Sequence, residues 1–250
     1  MQKVLKYPFI LLLLLSSTFP SNANQLIFVA EDLPPFHFLD ANNKPTGALV
    51  EVIEAMLLKT RYTGFINLMP FAHSYDAALN QKNTLIFSLM KTTKRSKYFQ
   101  WIGHIYKSKA FLIGLRSRTD INIHSLEEAK SFVVGTIRGY HSEEYLKNAG
   151  FSTPQNLHLS VNYKHMWGML FGRHIDFILT NFVAIDREMK SIGFDKEEIK
   201  PIVELYDFPG DLFIATGLTT SDKVVSELSD ALHKIKDDGT YQKIIDKWGL

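Results

Sequence analysis

The chain has 250 residues, with 28 Lys+Arg against 26 Asp+Glu, nine histidines and no cysteine. The missing cysteine excludes disulfides and thiol or thiolate–metal chemistry. A charge balance this even argues against a nucleic-acid binder, which needs a basic footprint, and gives no support to a polybasic membrane-surface protein. No two histidines are three or four apart, so none share a helix face in the usual ligand spacing, and neither a metal nor a cofactor is expected.

In chain order, the first 23 residues read as a secretory signal peptide. Lys3 and Lys6 form a positive n-region, residues 9–15 an apolar core too short to span a bilayer comfortably, and Ser21-Asn22-Ala23 a cleavage site. Cleavage before Asn24 removes two lysines and leaves 26 basic side chains facing 26 acidic ones. With no cysteine at the cleavage site, no lipid anchor can be attached there.

A strand is predicted over 26–30 and stopped by Pro34-Pro35, because proline cannot donate to a ladder. After a turn over 42–47, Leu49, Val52, Ile53, Met56 and Leu57 give 48–59 the period of an amphipathic helix. A shorter helix over 72–80 precedes an almost wholly apolar run over 85–90, as in a strand buried on both faces. A strand follows over 111–115, and Ser125 with Glu128 makes a capping box before a short helix. Next come a buried strand over 132–137 and a helix over 141–149, with Glu143 and Glu144 in its first turn and Gly150 as its stop. A helix over 162–171, strands over 175–180 and 212–215, and helices over 221–236 and 241–247 complete the chain. The fold class is α/β, with no repeat and no internal membrane span.

Open α/β sheets bind ligands beyond the carboxyl ends of their strands. Three such junctions carry chemistry. After 85–90 stand Thr92, Thr93 and Arg95, two hydroxyls and a fork that matches a carboxylate or phosphate. The plainer reading is a solvated basic turn, with Lys91, Lys94 and Lys97 around it. After 132–137 come Arg138, Gly139 and Tyr140, where glycine admits close backbone approach and the next helix aims free N–H groups at an anion; the plainer reading is an ordinary βα turn that happens to carry glycine. After 175–180 comes Asn181, a donor and acceptor for a ligand or else the cap of the following helix.

Six motifs stand in order along nearly the whole mature chain. They are Pro34-Pro35-Phe36, Gly47 before the first helix, the Thr-x-x-Arg of Thr92 and Arg95, and the VGxxxG of 134–139. The GRxID-like run of 172–176 and the ending Asp238-Gly239-Thr240-Tyr241 through Trp248 complete the set. In this the chain resembles the bacterial extracellular solute-binding proteins of family 3, which include the periplasmic amino-acid receptors of ABC transporters. The resemblance implies a two-lobed periplasmic binding protein (Venus flytrap) fold with two hinge crossovers. Lobe one would comprise 24–112 plus 213–250, and lobe two 113–212. It implies that Arg95 grips a ligand carboxylate, that the turn at Gly139-Tyr140-His141 adds donors, and that Phe36, Phe71 and Tyr75 pack on the ligand.

The chain also departs from the pattern. Asn181 stands where amino-acid receptors carry the acid that pairs with the ligand ammonium, and Tyr140 replaces a small hydroxyl residue. Phe87-Ser88-Leu89-Met90 replaces a serine-rich stretch. Glu31 is a candidate substitute for the acid. The expectation is a monomeric periplasmic protein that captures a small carboxylate-bearing ligand, one lacking a free ammonium, for an ABC transporter permease or a sensor receptor. The alternative is an enzyme on the same scaffold, a lyase resembling cyclohexadienyl dehydratase.

Overall fold

The computed structural model describes residues 24–180 and 185–250, without the side chains of 186–188 and 191. The expected signal peptide and Asn181 lie outside the described residues. The chain opens with β1 (Gln25–Ala30), a short hairpin of β2 (Phe38–Leu39) and β3 (Pro45–Thr46), α1 (Ala48–Leu57), β4 (Thr63–Leu68) and α2 (Phe71–Asn80). Then come β5 (Thr84–Met90), a single turn α3 (Thr93–Ser96) and β6 (Phe99–Lys107). A second unit holds β7 (Phe111–Leu115), β8 (Val134–Ile137), α4 (His141–Asn148), β9 (Leu157–Ser160), α5 (Tyr163–Phe171), β10 (Phe177–Thr180), α6 (Ile185–Ile192) and β11 (Ile199–Glu204). The chain returns through β12 (Asp211–Gly217) and closes with α7 (Asp222–Asp237) and α8 (Thr240–Trp248).

Two five-stranded sheets result, one per lobe, in the orders β4-β1-β5-β12-β6 and β11-β7-β10-β8-β9. In the first, β1 runs parallel to β4 and β5, while β12 lies antiparallel between β5 and β6. In the second, β8 is parallel to β9 and β10, and β7 is antiparallel to β10 and β11. The predicted strands and helices are all present, with ends moved by a residue or two. The strands β2, β3, β4, β6, β9 and β11 were not foreseen.

The chain changes sheet twice, over 108–110 and 205–210. The sequence places these divisions at 112 and 213, inside β7 and β12. Pairing sets them earlier, because Phe111 and Leu112 pair with β10 and β11, whereas Leu212 pairs with Tyr106 and Met90. The two crossing segments are tied together: Ser108 N donates to Gly210 O at 2.9 Å, and Leu205 N donates to Ala110 O at 2.9 Å.

Each sheet is covered on both faces. Leu49, Ile53 and Met56 of α1 and Leu228 and Leu232 of α7 pack on Phe28, Leu85, Phe87 and Ile105 of the first sheet. Val29, Ile86 and Ala215 meet Ala78 of α2 on the other face. In the second lobe Leu112, Val134 and Phe177 face Leu146 of α4, while Ile113 and Ile178 face Met166, Trp167 and Leu170 of α5. Each fully buried Leu, Ile or Phe contributes about 1.5–3 kcal/mol relative to exposure. Gly47 enters α1 at φ 125°, with the Phe36 carbonyl only 2.5 Å from where a Cβ would stand, so a side chain there meets both strain and backbone.

The pairing of β12 is irregular on both sides, with register shifts against β6 as well as against β5. In β5, Leu89 pairs with Phe213 and Ile86 with Ala215, so Phe87 and Ser88 together face Ile214 as a β-bulge. Ser88 takes φ 65° there, a left-handed conformation unusual for serine.

Candidate functional site

The carboxyl ends of β5 and β8 face each other across the gap between lobes, and a cavity of about 100 Å³ lies there. Lobe one lines it with Glu31, Phe36, Phe71, Ser88 and Arg95. Lobe two adds Thr136, Tyr140, His141, Ser142 and Thr180.

Arg95 is the most heavily constrained of these. The Thr92 side chain caps α3, accepting from Arg95 N at 3.2 Å, and so sets where Arg95 leaves the backbone. Arg95 Nη1 donates to the Met90 carbonyl at 3.2 Å. The guanidinium lies 5.4 Å from the Phe71 ring centre and 5.5 Å from that of Tyr75, within cation–π range. Burial pulls its pKa below the ordinary value, opposed by the Tyr75 hydroxyl and the Glu144 carboxylate, and arginine stays charged throughout.

Across the cavity, burial lowers the His141 pKa first, and the charge of Arg95 lowers it further against the opposing pull of Glu144. His141 Nδ1 stands 3.9 Å from Glu144 Oε2 and has no hydrogen-bond partner among the described residues; neither has the buried Tyr140 hydroxyl. Thr136 Oγ1 and Ser142 Oγ share a short hydrogen bond at the start of α4. Lobe two thus offers polar atoms that await a partner, opposite a cation held by its neighbours.

The rings of Phe71 and Tyr140 meet edge to face at 5.1 Å, and Tyr163 follows at 6.0 Å. These three line both the inner cavity and a wider outer pocket of about 490 Å³. Asp32 and Arg138 belong only to the outer one.

The structure therefore sorts the expected site residues. It brings together Arg95, Glu31, Phe36, Phe71 and Tyr140 around the inner cavity. Thr92 acts as a cap, and Thr93 is exposed on α3. Tyr75 stands behind Arg95, packed on Phe71 and Phe99, and does not line the cavity. Gly139 has open space where a Cβ would go, and its φ of 81°, not close approach, calls for glycine. Its N–H is taken by Glu143 Oε2 at 2.7 Å. Among the described residues no group of three or more His, Asp or Glu side chains could hold a metal.

Sequence reasoning missed a pair. His37 is fully buried; its Nδ1 lies 2.6 Å from the Glu31 carbonyl and its Nε2 2.8 Å from Ser88 Oγ. The only signal was a lone hydroxyl inside the apolar run 85–90.

Two lobes joined by two crossovers, with a cavity between strand ends that both lobes line, define a two-lobed binding-protein fold. The chain belongs to the bacterial extracellular solute-binding proteins, family 3, whose family profile matches residues 26–250. It is 23% identical over 253 residues to the ABC transporter arginine-binding protein 1 of Escherichia coli (strain K12), across 94% of this chain and 96% of that one. The solved structure of an ancestral arginine-binding protein bound to arginine superposes with a TM-score of 0.79 at 22% identity, covering 91% of this chain and 99% of the other. A histidine kinase sensor domain with similarity to periplasmic binding proteins gives 0.80 at 18% identity, covering 90% and 96%. These likenesses show the fold.

Proposed function

We propose that the chain is a periplasmic receptor without catalytic chemistry. It captures a small, carboxylate-bearing ligand of amino-acid type between its lobes and presents it to an ABC transporter permease or a sensor receptor. The observation that carries this reading is Arg95. A guanidinium tied to the Met90 carbonyl and stacked on two aromatic rings is fixed in the wall of the interlobe cavity, where its remaining donors match a carboxylate. Its surroundings support an anion. Lys109 lines the same cavity, and Glu31 is the one carboxylate among its described lining residues. The relatives named for binding arginine support an amino-acid type of ligand.

The test is calorimetry of wild type and Arg95→Ala against L-arginine, L-glutamine, their deaminated analogues and the nitrogen-free dicarboxylate glutarate. The variant should lose about 1.5–3 kcal/mol toward whatever the wild type binds, as for a hydrogen bond to a charged group. Arg95→Lys should recover only part, because the fork is lost. Equal affinities for wild type and Arg95→Ala would overturn the reading.

A further inference from the structure

His141 enters the cavity from the start of α4, on the lobe opposite Arg95. Its side chain is 13% exposed, and Nδ1 is buried without a hydrogen-bond partner among the described residues. The ring of Phe208, from the second crossover, packs on the imidazole at 5.7 Å, and Tyr145 backs that ring at 5.0 Å. A buried polar atom left unpaired costs free energy, so the imidazole is placed for a partner that no described residue supplies.

The charges around the ring decide its protonation. Arg95 acts on it from α3, and Glu144 stands one turn along α4, 3.9 Å from Nδ1. Lys109 from the first crossover and Glu31 from beyond β1 line the same cavity. Asp207, next to Phe208, is engaged by the Tyr145 hydroxyl at 2.7 Å. Burial lowers the His141 pKa from 6.5, Arg95 lowers it further, and Glu144 opposes both. The ring is therefore neutral near pH 7 in the unliganded protein. Of these influences, the field of Arg95 is the one that a ligand can switch off. A carboxylate that meets the guanidinium in this cavity offsets its charge and brings a negative charge to His141. It also offers lone pairs to a ring N–H. Each change favours the imidazolium.

We propose that His141 is a ligand-binding residue that is neutral in the unliganded protein and protonated in the complex, so that capture of the carboxylate takes up a proton. The inference rests on the reading of Arg95 as the carboxylate's anchor, and deepens it. The linkage has a definite sign. A base that is neutral when free and charged when bound makes binding tighter as pH falls. The gain reaches about ten-fold per pH unit between its free and bound pKa values. Carboxylates, with reference pKa values of about 4, stay ionised over pH 6–8, so the ligand's own titration does not produce this trend.

Two measurements test this. The first needs no ligand. Histidine NMR, with the His141 signal identified by its loss in His141→Gln, should show it titrating below the ordinary 6.5, and Arg95→Ala should raise it. Titration at or above 6.5 in wild type, or no rise in Arg95→Ala, would overturn the proposal. The second is calorimetry of L-arginine, L-glutamine and glutarate at pH 6.5 in PIPES, Bis-Tris and imidazole, buffers whose protons cost increasing enthalpy to release. For a probe that binds, the apparent enthalpy should become less exothermic along that series, the slope counting the protons taken up, at most about one. His141→Gln keeps a hydrogen-bonding amide but cannot be protonated. Its slope should be near zero, and it should lose the tightening that wild type shows from pH 8 to pH 6. A flat wild-type series, a slope of opposite sign, or a slope that persists in His141→Gln would overturn the proposal. Arg95→Ala separates the two ideas. If it loses affinity while wild type takes up no proton, the carboxylate reading survives and the proton linkage fails. If it binds as tightly as wild type, the carboxylate reading itself fails.

Discussion

The two faces of the cleft are built differently. On lobe one, two polar groups are held by the structure behind them: Arg95 by Met90, Phe71 and Tyr75, and Ser88 by His37. On lobe two, the groups that face them come from the start of α4, and two of them, the Tyr140 hydroxyl and His141 Nδ1, have no hydrogen-bond partner among the described residues. One jaw is pre-organised and the other is left to be completed by what it closes on. Pre-organisation lowers the cost of binding, whereas unpaired buried groups raise the cost of closing empty. A cleft built this way favours closure when it is filled.

The sharpest way to break the comparison is to weaken each jaw's support in turn. Phe87 lies beneath His37 in lobe one, and Trp167 fills the core of lobe two; both are fully buried. Phe87→Ala and Trp167→Ala should each cost about 3–5 kcal/mol in urea unfolding. Only Phe87→Ala should also weaken ligand binding, since it alone loosens the seat of the histidine that orients Ser88. Comparable losses of affinity in both would show that the jaws are equally pre-organised.

Next in size is a pH effect carried by His37. Its pKa is depressed in the folded state, from 6.5 to about 4, so between those values the unfolded chain binds a proton that the native chain does not. Its contribution is present above pH 6.5 and is lost as pH falls toward 4, and it amounts to about 3 kcal/mol. His141 and His158, also depressed chiefly by burial, act in the same direction. Urea melts at pH 7, 5.5 and 4 should show stability falling with acid, with a shallower slope in His37→Gln. A slope that does not change in that variant would show that the histidine is not buried neutral.

The smallest effect belongs to the aromatic seam. Tyr140→Ala removes the edge-to-face contact with Phe71, worth about 0.5–1.5 kcal/mol. It should appear mainly as faster ligand release in stopped flow, about three- to ten-fold, since interface changes act mostly on dissociation. An unchanged release rate would mean that the seam does not hold the jaws together.

The sequence made the solid parts of the fold legible and left the mixed ones hidden. Runs buried on both faces, such as Leu85, Ile86 and Phe87 or the four residues of β8, announce themselves. The edge strand β4 does not, with Thr63, Phe65 and Asn67 turned outward and Gly64 among them, nor does β11, where Pro201 breaks the run and the register shifts before Val203. β9 is too short and polar to stand out. The placement of Arg95 in the cavity wall was readable because it follows a buried strand. Tyr75 was misjudged because sequence shows that an aromatic is nearby, not whether it faces a ligand or supports the residue that does. The His37–Ser88 pair lies 51 residues apart in sequence, and it meets only because of a bulge that no hydrophobic pattern signals.

The paired crossover segments have a practical consequence. Because Ser108 is bonded to Gly210 and Ala110 to Leu205, the two legs form one tied ladder, and a rotation of one lobe against the other has to bend both. Displacement in such a rotation grows with distance from the legs. Leu39 and Val161 stand exposed on opposite rims of the outer pocket, one on each lobe. A donor and an acceptor fluorophore attached at those two positions would turn occupancy of the cleft into a change in energy transfer, making the protein an optical sensor for its own ligand.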